Sequence, residues 1–315
     1  MGTNSNDNSY DSLVEDEIKF WSKELIKSIR KGIPINLDYS NSHLFKESEK
    51  SNDIYFHPEI YKAMYDKSFL LDKSTVEGGK ALDLVCGPGW LARELNKRGM
   101  DVEGLELNPF LVDVANLYSK NRKNKEFSLK YSVSDLNKAV LEKEKYEVIC
   151  ADSGLHHVSK IDRLFRQISK ALKPGGRFVF REHIDRDFPI SVLNIISLPL
   201  VFMAGYKNYW KVAKKARSLI KETLYMVFNR GEKMEWGSAF EDVGASEIVS
   251  CAKKYFDVKI ERYSFSIFTP VRIIADSNLE FNKKIQWINY FMNIDRKLNQ
   301  NGFHGECVEF LLIKR

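Results

Sequence analysis

ALDLVCGPGW, residues 81–90, runs an apolar segment around one acid into a Gly-Pro-Gly turn and on into a helical pattern. Proline has no N–H to give a ladder or helix, and glycine has no side chain to pack, so the turn interrupts both. A strand, a glycine turn and a helix in that order bring backbone N–H groups and a helix N-terminus up to a ligand. A nucleotide-like molecule is the expected occupant.

Working outward from this turn, the pattern alternates. KALDLV reads as a strand and WLARELNKRG as a helix closed by Gly99; DVEGLEL is the next strand, and PFLVDVANLYSKN a helix opened by proline. FSLKYSVSD and KYEVICAD are a third and a fourth strand. SKIDRLFRQISKALKPGG is a helix with Ile161, Leu164, Phe165, Ile168 and Leu172 on one face and a glycine cap, and RFVFREH is the fifth strand. Strands alternating with helices predict a doubly wound α/β, Rossmann-like, mostly parallel sheet. DVKIERYSF and ECVEFLLIKR bring the strand count to seven. Ligands of such sheets sit beyond the carboxyl ends of the strands, where strand order reverses.

The flanks divide accordingly. Residues 1–17 read as a disordered tail, and 18–72 as a helical N-terminal cap in which Ile18, Trp21, Leu25 and Ile29 share a face. Residues 73–186 form the ligand-binding core. Residues 187–235 are a helical lid inserted after the fifth strand, and 236–315 complete the sheet with an added helix over 276–299.

The glycine turn alone fits two ligand classes. Gly87-x-Gly89-x-x-Ala92 also matches a loose dinucleotide fingerprint, and Glu106 at the end of the second strand would hold a ribose diol in either case. Three later features separate them: SVSDLN after the third strand, ADSGLHHV after the fourth, and LKPGGRFVFREH leading into the fifth. In series, these resemble the class I S-adenosylmethionine-dependent methyltransferases, especially the small-molecule group with L-H-H and K-P-G-G signatures. The resemblance covers residues 78–185. It implies S-adenosyl-L-methionine as cofactor and S-adenosyl-L-homocysteine as product. By position, it places Asp83, Cys86, Gly87 and Gly89 under the methionine part and Glu106 on the ribose. Leu107 then lines the adenine pocket, Ser134, Asp135 and Leu136 meet the adenine edge, and Ala151 and Asp152 run beneath the sulfonium. One departure stands out: the family has a glycine where this chain has Val85, which demands an extended backbone there and crowds the loop.

A sulfonium is already an activated methyl donor, so positioning carries most of the barrier reduction, about 7–11 kcal/mol at best. A base is needed only for an acceptor hydroxyl. His156, His157 and His183 lie at strand ends on the right side, with His183 beside Glu182 the best placed; packing is the competing role for the L-H-H pair. The expected acceptor is a small molecule, a hydroxyl of a sugar or secondary metabolite, and an anionic or lipid-linked one if the lysines after the lid hold it. Those lysines (207, 211, 214, 215 and 221) lie largely along one helical face, whose ordinary reading is a solvated surface. Trp21, Tyr55, Phe56, Tyr61, Tyr65, Tyr206, Tyr209 and Trp210 are candidates for an acceptor wall or for core. Non-methylating use of the same cofactor, a cofactor-binding protein without catalysis, and an NAD-dependent oxidoreductase remain open alternatives.

Composition bounds the rest. With 315 residues, 43% hydrophobic and 29% charged, the chain describes a globular fold with ample core. A net charge of +6 is too small to imply nucleic acid unless clustered, and no N-P-P-Y-type motif follows the fourth strand. Cys86, Cys150, Cys251 and Cys307 are widely spaced, which predicts reduced thiols, no zinc site and a cytoplasmic setting. The start is neither a secretory signal nor, with Asn6, a myristoylation site. The apolar run 188–206 is broken by Pro189, Asn194 and Pro199, so it reads as lid rather than membrane span. The oligomeric state is not legible.

Overall fold

A computed structural model describes residues 5–30, 58–120, 126–184, 188–228 and 243–315. Seven strands, β1 (Lys80–Leu84), β2 (Asp101–Glu106), β3 (Leu129–Val133), β4 (Tyr146–Asp152), β5 (Leu172–His183), β6 (Phe256–Ser264) and β7 (Cys307–Lys314), form one sheet ordered β3-β2-β1-β4-β5-β7-β6. β1 to β5 pair in parallel, and β7 runs antiparallel to both β5 and β6. Strand order reverses between β1 and β4, so a crevice opens at the end of β1, where the glycine turn lies. The fold class expected from the alternation is the one found.

Both faces of the sheet are covered. On one, Leu82, Ile149, Phe178 and Phe180 pack against α6 (Ile161–Ala171) and α9 (Ala245–Tyr255), with Phe165 and Phe256 meeting the β5 rings edge-on or tilted. On the other, Ala81, Val148, Cys150 and Val179 meet α3 (Ser68–Ser74) and α4 (Trp90–Lys97). α5 (Pro109–Ser119) starts with Asn108, whose side chain accepts from Phe110 N, and with proline at its first turn. A separate helical layer joins α2 (Pro58–Met64), α7 (Phe188–Ser197), α8 (Tyr209–Phe228), α10 (Phe268–Ala275) and α11 (Phe281–Gln300) around Ile60, Met64, Leu198, Val201, Ile288 and Phe291. Asn194, one of the residues that interrupt the apolar run, anchors this layer. Its buried amide donates to Ser266 O and accepts from Thr269 N.

The expectations need correction in several places. The tail is not disordered over residues 5–17: α1 (Ser5–Arg30) is continuous. Long-range bonds hold its polar first half: Tyr10 Oη donates to Asp135 Oδ2 at 2.8 Å, and Lys138 pairs with Asp11 at 3.4 Å. α6 has no glycine cap. It ends at Ala171, and Leu172 already pairs with Tyr146; the register then shifts, so that 173–176 bulge before Arg177 rejoins β4 at Val148. No helix separates β3 from β4; turns around Asp135 make that crossover. α10 was not foreseen, and α11 starts at Phe281 rather than 276, capped by the Glu280 carboxylate. Within the cap and lid, residues 31–57 (with Tyr55 and Phe56), 185–187 and 229–242 lie outside the described residues. No helix among those described is long and apolar enough to cross a membrane.

Candidate active site

Val85 is where the structure departs most from expectation. Its φ is +50°, in the left-handed region, so the extended conformation expected of it is not adopted. The turn imposes a glycine-like backbone on a β-branched residue, which is strained. Gly154 makes room for it: a Cβ placed on Gly154 would lie 2.6 Å from Val85 Cγ1. Gly89, at φ +79°, is required by the Tyr131 ring, which would lie 2.5 Å from a Cβ there. Gly87, at φ +52°, has nothing within 4 Å of that position. The backbone at Gly87 therefore faces open space.

That space is a cavity of about 730 Å³ at the β1/β4 reversal, within the range of small-molecule sites. Of the residues carried over from the family pattern, Asp83, Cys86, Gly87, Glu106, Leu107, Ser134, Asp135, Leu136 and Asp152 line it. Gly89 and Ala151 do not: Gly89 supports the turn from behind, and Ala151 is buried in the core. Ala92 N donates to Asp83 Oδ2 at 3.0 Å, which ties the end of β1 to the first turn of α4. Glu106 is clamped by two backbone donors, Gly87 N at 2.9 Å and Asn108 N at 3.0 Å. Burial first, and only secondarily the neighbouring acids, pushes the Asp83 carboxyl well above its usual range; burial also raises Glu106, against the backbone N–H groups that favour its charge. Asp135 accepts from Tyr10 and from Asn137 N at 2.9 Å.

Asp152 differs in kind. Lys67 Nζ lies 2.6 Å from its Oδ2, with both side chains largely shielded, and 4.1 Å from the centre of the Trp90 ring on the cavity wall. Burial opposes the Asp152 charge, but Lys67 and then Arg181 outweigh it, and its pKa falls below the usual carboxylate value.

The missing wall of the crevice comes from α1. Glu17, Ile18, Phe20, Trp21, Glu24, Leu25 and Lys27 line the cavity. Ile18, Trp21 and Leu25, expected to share a helical face, turn that face to the cavity, while Ile29 is exposed. Glu17 was not foreseen. It is only 4% exposed; its Oε1 accepts from Trp21 Nε1 at 2.8 Å and lies 3.1 Å from His157 Nδ1. Nothing in a single sequence marks Glu17, because its role depends on where α1 docks.

The three histidines part company. His157 lines the cavity, edge-on to Trp21. His156 and His183 lie outside the lining. Glu182, fully buried, is 2.8 Å from His156 Nδ1 and accepts from Leu155 N and His183 N, so it pins the L-H-H turn to β5. The His183 ring stacks on Phe265 at 6.3 Å, its outer side open to solvent; desolvation on its packed side, then Arg181, lowers its pKa. Of the described aromatic candidates, Trp21 alone reaches the cavity. Tyr61 and Tyr65 pair with each other, Tyr206 is core, and Tyr209 and Trp210 face solvent. Among the described residues there is no cluster of histidine, cysteine and acidic side chains that could hold a metal, and all four cysteines are buried and free.

The donor set suits S-adenosylmethionine. Two buried carboxylates at the ends of β1 and β2 can meet hydroxyls and cationic groups, and the open backbone at Gly87 would admit a close approach. Comparisons agree. A methyltransferase-domain family profile matches residues 55–241. A ubiquinone biosynthesis O-methyltransferase of Coxiella burnetii (strain Dugway 5J108-111) is 26% identical over 134 residues, covering 42% of this chain and 56% of that protein. The chain therefore matches only about half the length of that relative. Two solved structures share the fold: the [4+2]-cyclase SpnF (TM-score 0.54, 14% identity, 95% of this chain and 94% of that one) and geranyl diphosphate C-methyltransferase from Streptomyces coelicolor A3(2) (TM-score 0.53, 13% identity, 96% and 98%). With the family profile covering more than half of the chain, this protein belongs to the S-adenosylmethionine-dependent methyltransferases of class I fold.

Proposed function

We propose that this protein methylates a hydroxyl of a small molecule, with His157 as general base and Glu17 as the group that orients it. The observation that carries this reading is the 3.1 Å approach of Glu17 Oε1 to His157 Nδ1 on the cavity wall. A carboxylate at Nδ1 holds the proton there and leaves Nε2 as the acceptor of a proton. Bound S-adenosylmethionine supplies the activated methyl group. What remains for the chain is to align the acceptor oxygen and take its proton, so that a strong nucleophile forms only in place. Asp83, Cys86, Gly87, Glu106, Leu107, Ser134, Asp135, Leu136 and Asp152 would hold the cofactor. Ile18, Phe20, Trp21 and Leu25 form an apolar wall, which supports an acceptor with an aromatic or lipid-linked body, of the secondary-metabolite kind, over a bare sugar. The name of the Coxiella relative supports a hydroxyl acceptor of that kind. The four unpaired, buried thiols support a cytoplasmic setting.

The test is turnover to S-adenosylhomocysteine with a panel of phenolic, aliphatic-hydroxyl and lipid-linked acceptors. His157→Ala should lower kcat about 100-fold with cofactor affinity unchanged, and added imidazole should restore part of it. Full activity in that variant, or turnover confined to carbon acceptors, would overturn the reading. Cofactor binding without turnover of any acceptor would point instead to a non-methylating protein.

A further inference from the structure

α7 and α8 pack together, and with the short turn Leu198–Phe202 between them they bury Ile190, Leu198, Val201, Val212 and Leu219. Their outer side is unusual. Eight of the 17 large apolar side chains exposed among the described residues fall within 188–228, including Phe188 at 52%, Ile196 at 64%, Met203 at 65%, Trp210 at 73% and Phe228 at 77%. Scattered singly, such residues would mean little; gathered on one helix pair, they mark an interaction surface.

The arrangement on α8 is specific. Val212, Leu219 and Thr223 make a narrow buried stripe. At about 100° per residue, Tyr209, Ile220, Leu224, Trp210 and Phe228 occupy the next arc round the helix, with Arg217 over the Trp210 ring, and Lys221, Lys214 and Lys211 the arc after that. The apolar arc is thus about twice as wide as the fold uses. Six bases and one acid, Glu222, occupy 207–228, in a chain whose net charge is only +6. The basic excess is concentrated here.

We propose that the α7–α8 pair is a docking surface for an anionic membrane. Its bare aromatic and aliphatic arc enters the headgroup region, while the neighbouring lysines meet lipid phosphate. Tryptophan and tyrosine with one apolar and one polar end, flanked by long basic side chains that reach past them, suit an interface of that depth. Several bases held beside an anionic leaflet act together, so this set suffices for reversible attachment. No residue of α7 or α8 lines the cofactor cavity, and the surface does not depend on which acceptor is methylated.

Co-sedimentation of the full chain with phosphatidylcholine vesicles, with and without about one-third phosphatidylglycerol, tests this. Binding is expected to the anionic vesicles, at least tenfold over the neutral ones, and to fall with added salt. A Trp210→Ala, Phe228→Ala pair and a Lys211→Glu, Lys214→Glu, Lys221→Glu triple should each reduce it at least tenfold, with S-adenosylmethionine affinity unchanged as the check on folding. Absence of wild-type binding, or binding that both variants retain, overturns the proposal. So does a vesicle-free dimer, seen by sedimentation velocity, that the same substitutions dissolve; that result would assign the face to a second copy of the chain.

Discussion

Val85 and Gly154 share one space: the left-handed backbone of Val85 points its side chain to where Gly154 would carry a Cβ, 2.6 Å from Cγ1. Gly154→Ala should therefore destabilise the fold by about 1–3 kcal/mol through overpacking. Adding Val85→Gly, which removes the Cβ at 2.8 Å as well as Cγ1 at 2.6 Å, should recover most of that loss, a coupling that thermal melts of the two single variants and the double variant would measure. Additive losses would mean that the two residues do not compete.

Val85→Gly separates strain from packing. Removing a β-branched residue from positive φ relieves about 1–3 kcal/mol, offset by lost contact with the core. The expected result is near-neutral stability with cofactor affinity equal to or better than that of the parent, read by calorimetric titration. A large loss of affinity would show that the isopropyl group itself contacts the ligand.

Glu106→Ala should weaken S-adenosylmethionine binding about 10- to 100-fold, the range for hydrogen bonds to a charged group. Asp135→Ala should cost less, since Tyr10 and Asn137 N already engage that carboxylate. Equal losses would reassign the dominant polar contact.

Affinity for S-adenosylmethionine should rise with pH. Burial lifts the pKa of Asp83 and Glu106, so in the free protein they retain protons that ordinary carboxyls would have lost. A cationic ligand favours their ionised forms, so binding releases protons and tightens as pH climbs through the raised values. S-adenosylhomocysteine, uncharged at sulfur, should show a smaller slope above the ordinary carboxyl range. Parallel slopes for the two ligands would rule out this linkage.

Lys67→Met should destabilise the fold by about 3–5 kcal/mol, because it strands the shielded Asp152 charge. Lys67→Met with Asp152→Asn should be milder. The parent should also lose stability as pH falls from about 3.9, the ordinary aspartate value, through the lower folded value of Asp152. Urea melts across that window would show the loss missing from the double variant if the pair is its source.

The sheet was legible because each strand from β1 to β5 sits between turn or helix signals, and glycine–proline punctuation survives in any context. Motif order also located the crevice at the end of β1. What failed did so for tertiary reasons. The first half of α1 looks disordered because its helix is held by Asp135 and Lys138, far away in sequence. Periodicity gives Ile18, Trp21 and Leu25 a shared face but not what that face meets, which is the cavity. His183 and Glu182 look like a catalytic pair because they are adjacent in sequence, yet the buried carboxylate engages His156 instead. Val85 misled because its side-chain preference was weighed without the turn that overrules it.

The attachment of α1 has a kinetic consequence. It meets the core through Tyr10 to Asp135, Asn108 to Ile18 O and Ser22 Oγ, and Glu17 to His157, while several of its apolar side chains face the cavity. Water can replace each of those bonds, so swinging this helix away uncovers no hydrophobic core and leaves the sheet whole. Lifting this helix would therefore give ligand exchange an inexpensive route at the α1 side of the cavity.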